Sequence, residues 1–234
     1  MNKHHGKLLD SIKKNGRKRA HSQANDSYLS SGHHYHDVSI PTLRALAKAW
    51  LSENKGIAPE EFIAVLDGLY SGRSYEEKVL ASLVISYHRA GRQMIEPKQL
   101  DAWLDGLVGW AEIDSLCASA FTAEEILADW TEWQRFIRRL MHNRNINKRR
   151  AALVFLTTAT RKSEDTRLAT LALETIEALK REREIIITKA VSWLLRSMVA
   201  QHKSLVAAYI KENRNSLPAI AVRETSRKIA TGRK

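Results

Sequence analysis

Apolar residues recur along the chain at the three- and four-residue spacing of one face of an α-helix. The clearest stripes comprise Trp133, Phe136, Ile137, Leu140 and Met141, and then Ile187, Ala190, Val191, Leu194, Leu195 and Met198. Similar stripes run through residues 79–87, 168–179 and 205–210. Pro41, Pro59 and Pro218 each stand where a first helical turn would begin, a position that tolerates proline. The pattern predicts an all-α chain of about a dozen helices.

Short polar segments separate the predicted helices, at residues 71–74, 142–145, 162–164 and 213–216. None of these segments is long enough to act as a linker between two folded domains. We therefore predict that residues 1–234 form a single helical repeat domain.

Four cationic residues share a register along the chain. Lys78, Arg150, Lys189 and Arg223 each stand near the start of a predicted helix, and they lie 72, 39 and 34 residues apart. These separations are close to one or two repeats of the HEAT and armadillo-type proteins. We predict a HEAT-like or armadillo-type α-solenoid of antiparallel helix pairs, with the four cations as a ladder along a concave basic face. The alternative is that Lys and Arg begin these helices by chance and share no surface.

The charge of the chain favours a polyanionic partner. Lys and Arg number 38 against 26 Asp and Glu, which gives a formal net charge of +12. Apolar residues make up 44% and charged residues 27%, as in ordinary globular proteins, which argues against wholesale disorder. Nucleic acid is the commonest partner of such a basic protein, and the alternative is a charge that serves solubility alone.

Cys117 is the only cysteine, so the chain cannot build an internal disulfide or a cysteine-based zinc site. The N-terminal residues lack the apolar stretch of a signal peptide. No apolar run approaches the roughly 18 residues that a membrane-spanning helix needs. We expect a cytoplasmic protein that does not bind a membrane.

Asp114 stands where the cationic register lacks a member, halfway between Lys78 and Arg150. A carboxylate on a cationic face weakens binding to phosphates, so chemistry explains it more easily than affinity does. The alternative is that Asp114 caps a following helix at residues 115–121 and accepts backbone N–H bonds there.

Two tryptophans lie four residues from positions of this register, one helical turn if the segments are helical. Trp110 precedes Asp114, and Trp193 follows Lys189. Both indoles could flank the carboxylate on an exposed face, although an isolated tryptophan on an apolar helix usually belongs to the core.

These segments resemble the HEAT-like alkylpurine DNA glycosylases, the DNA alkylation repair (AlkD-like) family of bacteria. The similarity runs from about Tyr28 to the C-terminus and rests on four elements in order. The elements are Tyr28 with Val38-Ser39-Ile40-Pro41-Thr42-Leu43-Arg44, Trp110-x-x-x-Asp114, Arg149-Arg150-Ala151, and Lys189-Ala190-Val191-Ser192-Trp193 with Leu195-Arg196. The chain departs from the pattern at Asn147, where the family has tryptophan, and at Asp37, where glycine is common.

The resemblance implies roles for individual residues. Asp114 would be the catalytic carboxylate, Trp110 and Trp193 would pack against the sugar of the damaged nucleotide, and Arg150 would hold the backbone beside it. Tyr28 would lie near the same site. Contacts to the DNA backbone are expected from Lys78, Arg149, Lys189 and Arg223.

The implied activity is that of a monofunctional DNA glycosylase, which hydrolyses the N-glycosidic bond of N3- and N7-alkylated purines in duplex DNA during base excision repair. We expect a monomer that needs no cofactor. We also expect no metal site, because the histidines of residues 32–37 lack a helical ligand pair and a second ligand cluster. One alternative is a non-enzymatic HEAT-repeat protein that binds branched or damaged DNA. Another is a protein-binding HEAT scaffold whose basic charge is incidental.

Overall fold

The computed structural model describes residues 2–17, 28–29, 31–118 and 120–233. These residues form thirteen α-helices and no β-strand, which confirms the all-α class. The helices are α1 (Lys3–Asn15), α2 (Ile40–Glu53), α3 (Pro59–Ser71), α4 (Tyr75–Tyr87), α5 (Arg89–Arg92), α6 (Pro97–Asp105), α7 (Gly109–Cys117), α8 (Ala123–Ala128), α9 (Trp130–Met141), α10 (Ile146–Lys162), α11 (Thr166–Leu179), α12 (Ile185–Glu212) and α13 (Ala219–Thr231). The chain groups into two compact units, Met1–Leu116 and Cys117–Lys234. The prediction of a single domain stays a prediction.

The apolar stripes predicted from the sequence form the inward faces of their helices. All five stripe residues of α9 are buried, as are all six of α12 between Ile187 and Met198. The ends of two other stripes reach solvent, at Tyr87 and Leu205. Aromatic residues join these faces: Trp103 stacks on Tyr70 at 4.7 Å between ring centroids, and Trp133 is buried against Phe155.

Local signals in the sequence begin the helices where the pattern places them. Pro59 opens α3 and Pro41 lies in the first turn of α2, where a missing N–H removes no helical hydrogen bond. Ser74 precedes α4 in a capping box with Glu77, in which each side chain accepts a hydrogen bond from the other residue's backbone N–H. The four cations of the register do lie near the starts of α4, α10, α12 and α13.

Residues 31–39 form an extended segment that pairs briefly with the loop before α4. The Tyr75 N–H donates to the His34 carbonyl at 2.9 Å, and the His34 N–H donates to the Arg73 carbonyl at 3.1 Å. Asp37 in this segment has a φ of 57°, in the left-handed region that glycine adopts most readily. Asp tolerates this conformation better than most residues, which explains why it can replace the glycine of the family pattern.

Glu77 fastens α1 to α4 inside the first unit. Its carboxylate lies 2.7 Å from His5 Nε2 and accepts from the Ser74 hydroxyl at 2.7 Å. Burial alone would raise the pKa of Glu77, but the hydrogen bonds from His5 and Ser74 outweigh it and hold the pKa below its ordinary value.

Replacing Glu77 by glutamine should destabilise the fold by about 1.5–3 kcal/mol at pH 7, since hydrogen bonds to a buried charge are lost. A carboxylate with a lowered pKa in the fold contributes stability above its unfolded pKa and loses it as pH falls through the folded value. The difference in unfolding free energy between wild type and Glu77→Gln should therefore narrow as pH falls below 4.5, the ordinary pKa of a glutamate side chain. Denaturant unfolding at pH 7 and pH 3.5 measures it, and a constant difference would contradict the assignment.

In the second unit, α12 bends at His202, where φ is −124° and ψ is 40°. Before the bend, the Ser192 hydroxyl donates to Glu224 on α13 at 2.7 Å. After the bend, the Tyr209 hydroxyl donates to Glu177 on α11 at 2.6 Å. The bend thus directs the two halves of one helix toward different neighbours.

Candidate functional site

Helix α7 carries Trp110 and Asp114 one turn apart on the same face. The helix begins at Gly109, whose φ of 75° a side-chain-bearing residue rarely adopts. Both Trp110 and Asp114 are half-buried. The idea that Asp114 caps a helix at residues 115–121 is wrong, because α7 runs continuously through Asp114 to Cys117.

Tyr28 lies directly against Trp110. The Trp110 indole N–H donates to the Tyr28 carbonyl at 2.7 Å. The two rings meet edge to face, with centroids 5.3 Å apart and planes at 82°. Tyr28 is 70% exposed, so the pair presents an aromatic surface to solvent beside the Asp114 turn of α7.

Glu112, which lies between Trp110 and Asp114 in the sequence, is a functional candidate that the sequence analysis missed. Its side chain is fully buried and lies on the other side of α7. It contacts Ser31 and His33 and accepts from the Val108 N–H at 2.9 Å. No sequence signal links Glu112 to partners about eighty residues earlier, since their proximity arises only from the tertiary fold.

The second unit contains an open pocket of about 600 Å³ that three predicted site residues line together. These residues are Arg150 from α10 with Lys189 and Trp193 from α12. The lining also includes Arg161, Arg196, Ser197, Ala200, Ile220, Glu224 and Lys228. We call this lining the cationic pocket, since it combines five Lys and Arg side chains with one carboxylate and the face of an indole.

Contacts within the cationic pocket hold some of its charges in place. Arg196 Nε lies 3.2 Å from a Glu224 carboxylate oxygen, which also accepts from Ser192. Arg150 is buried and donates to the Ile186 carbonyl at the start of α12. Lys189 is exposed. The pocket therefore keeps a positive surplus with solvent-facing cations, an arrangement suited to phosphate groups.

The expectation that Lys78 belongs to an exposed ladder is wrong. Lys78 is 2% exposed, and its ammonium donates to the Tyr70 and Gly72 carbonyls at the end of α3. Burial lowers the pKa of Lys78, and the carboxylates of Glu112 and Glu77 offset only part of this effect. Lys78 thus satisfies loop carbonyls inside the first unit.

Lys78→Met should destabilise the protein by roughly 1–3 kcal/mol, because a buried and a half-buried carbonyl lose their donor. The matched variant Lys189→Met should instead leave stability unchanged, because Lys189 is exposed. Thermal unfolding of the two variants measures both effects. Unchanged stability in Lys78→Met would contradict the structural role of Lys78.

Arg149 and Arg223 are the other two residues predicted to contact the DNA backbone, and their surroundings differ. The Arg149 guanidinium bonds to both Glu182 carboxylate oxygens, at 2.7 and 3.1 Å, and to the Asn143 and Arg144 carbonyls. These bonds give it a structural role at the start of α10. Arg223 is exposed on α13.

Among the described residues, no group of His, Cys, Asp and Glu side chains is arranged to hold a metal ion. No helix in the described part of the chain is both long and apolar enough to span a membrane.

Comparison with known proteins relates the chain to one family. Residues 11–229 match the model of the family described as DNA alkylation repair enzyme. The structure is similar to that of a predicted DNA alkylation repair enzyme from Enterococcus faecalis, with a TM-score of 0.72 and 19% identity over 89% of this chain and 94% of that one. No curated protein matches the sequence. The shared fold confirms the helical-repeat fold class expected from the sequence.

Proposed function

Because the chain belongs to the DNA alkylation repair enzyme family, we propose that it is a monofunctional DNA glycosylase that hydrolyses the N-glycosidic bond of N3- and N7-alkylated purines in duplex DNA. The observation that carries this proposal is one carboxylate, Asp114, one helical turn from an indole that Tyr28 supports. A site with this composition suits a reaction that develops positive charge on a sugar.

The chemistry of an alkylated purine explains why one carboxylate suffices. Alkylation at N3 or N7 makes the base cationic and weakens its bond to C1′. The electron pair of that bond leaves with the purine, which departs neutral without a general acid. Water adds its oxygen to C1′ and loses a proton to Asp114 or to solvent. Asp114 stabilises the developing charge on the sugar and orients the water.

The Trp110 indole adds a second stabilising effect. Its π face attracts an oxocarbenium-like sugar by about 0.5–2 kcal/mol, as with other cations over aromatic rings. The Tyr28 carbonyl holds the indole N–H, so the ring plane is set before DNA binds. A preset ring needs no reordering when the substrate binds.

The cationic pocket supports DNA as the partner. The exposed Lys189 and Arg161 can neutralise phosphates and release counterions, which is the main source of sequence-independent affinity. Trp193 in the same lining offers a flat face to a sugar or base. The contact of Trp193 with the damaged nucleotide stays a prediction.

The test is release of free base from methylated duplex DNA. The protein is incubated with duplex treated with a methylating agent, and N3-methyladenine and N7-methylguanine are separated by chromatography; unmethylated duplex is the control. We expect release from methylated duplex alone. Salt-sensitive binding without any base release would refute the enzymatic proposal and favour the DNA-binding alternative. Negligible affinity even at low salt would favour a protein-binding scaffold.

A further inference from the structure

The carboxylate of Glu112 is enclosed by hydrogen-bond donors from a distant part of the chain. One of its oxygens contacts the Ser31 hydroxyl and lies 2.8 Å from His33 Nδ1, while the other accepts from the Val108 N–H at 2.9 Å. The Ser31 hydroxyl also lies 3.1 Å from His33 Nδ1. Glu112 therefore fastens residues 31–33 to the start of α7.

The burial of Glu112 is not explained by stability alone. Its side chain has no exposure, and removing a carboxylate from water costs several kcal/mol before its hydrogen bonds offset the loss. An apolar side chain of similar volume often stabilises such a position equally well. A buried polar network whose hydrogen bonds are all made rigidifies the groups around it and selects one arrangement of them.

The residue whose position depends on this cluster is Tyr28. Ser31 follows Tyr28 by three residues, which span at most about 11 Å of chain. Fixing Ser31 on α7 therefore keeps Tyr28 near that helix. Because Tyr28 is 70% exposed, it has little packing of its own to hold it on Trp110.

We propose that Glu112, acting through Ser31 and His33, is a positioning residue that holds Tyr28 on Trp110 and so fixes the indole plane on the Asp114 side of α7. Glu112 does not touch the substrate, since it lies buried on the other side of the helix. The catalytic consequence rests on the proposed glycosylase function, whereas the effect on Trp110 does not.

The test variant is Glu112→Gln, which keeps the size of the side chain but replaces one acceptor oxygen by an NH2 group. That group must face either the Val108 N–H or the Ser31 and His33 pair, so one side of the cluster is lost. The Trp110 contribution to acrylamide quenching is obtained by subtracting the same protein carrying Trp110→Phe. We expect Trp110 to be quenched about twofold more strongly in Glu112→Gln than in wild type.

Glu77→Gln is the matched control, because Glu77 is also a buried carboxylate bonded to a histidine, a serine hydroxyl and a backbone N–H. It should lower stability and leave Trp110 quenching unchanged. Equal quenching changes in the two variants would assign Glu112 a general stabilising role and overturn the proposal. Should Glu112→Gln fail to fold, Ser31→Ala is the substitute, because it removes a single donor. It should also increase the quenching of Trp110, by less than twofold.

A double-mutant cycle with Tyr28 supplies the catalytic readout. Glu112→Gln should lower the single-turnover rate of base release about tenfold with DNA affinity unchanged, as expected for a misplaced group at the site. In a Tyr28→Ala background, Glu112→Gln should have no further effect, because the residue it positions is gone. Independent, multiplying effects would overturn the proposal. If wild type releases no base, the glycosylase proposal fails, while the quenching comparison still decides the role of Glu112.

Discussion

Asp114→Asn should release alkylated purines at least about 100-fold more slowly than wild type while binding duplex DNA as tightly. The amide keeps the shape of the side chain but carries no charge to stabilise a cationic sugar or to accept a proton from water. Its affinity should not fall, because losing a negative charge reduces repulsion from phosphates. Single-turnover release of methylpurines and a binding titration at the same ionic strength measure the two quantities separately.

Asp10→Asn serves as the control for this variant, since Asp10 is exposed on α1 and the net charge changes equally. The control should keep the wild-type rate. Wild-type activity in Asp114→Asn would remove the carboxylate from the mechanism and with it the proposed reaction. A parallel loss of rate and affinity would mean that Asp114 acts on DNA binding.

Reversing two charges in the cationic pocket should weaken duplex binding by about 100-fold at low salt. Lys189→Glu with Arg161→Glu replaces two exposed cations by anions that repel phosphates. The log–log salt slope should decrease by about 1.8, or about 0.9 for each lost phosphate contact. Fluorescence anisotropy with a labelled duplex over a series of salt concentrations measures both changes.

The comparison variant carries Lys203→Glu and Lys211→Glu, two exposed positions on α12 outside the pocket lining. It has the same net charge as the pocket variant. We expect a much smaller loss of affinity, because contact with the backbone depends on where the charge lies. Equal losses in the two variants would mean that bulk charge, and no particular pocket, attracts DNA.

Much of the helical architecture could be predicted from the sequence because its signals are local. The stripe from Trp133 to Met141 marks α9, and the capping box of Ser74 and Glu77 marks the start of α4. The pairing of Trp110 with Asp114 also followed from spacing once the segment was taken as helical. Such inferences need only residues within one or two turns of each other.

The errors concern side chains whose role depends on distant parts of the fold. Lys78 and Lys189 both stand near the start of a helix, before apolar or small residues, but only Lys78 meets loop carbonyls and becomes buried. Arg149 forms an ion pair with Glu182, thirty-three residues away, and its contact with the DNA backbone stays a prediction. The role of Glu112 could not be predicted from the sequence, because its partners Ser31 and His33 lie far earlier in the chain. A charge pattern predicts where a cation begins a helix, but not whether water or protein surrounds it.

The bend at His202 limits how far local unfolding at one end of α12 can extend along the helix. Its backbone angles are non-helical, and the halves on either side pack against different neighbours, so each half can open as its own cooperative unit. Amide hydrogens beyond the bend, near Tyr209, can then exchange with solvent while those around Trp193 stay protected. Opening of the second half of α12 would thus leave Lys189 and Trp193 on an intact first half of the same helix.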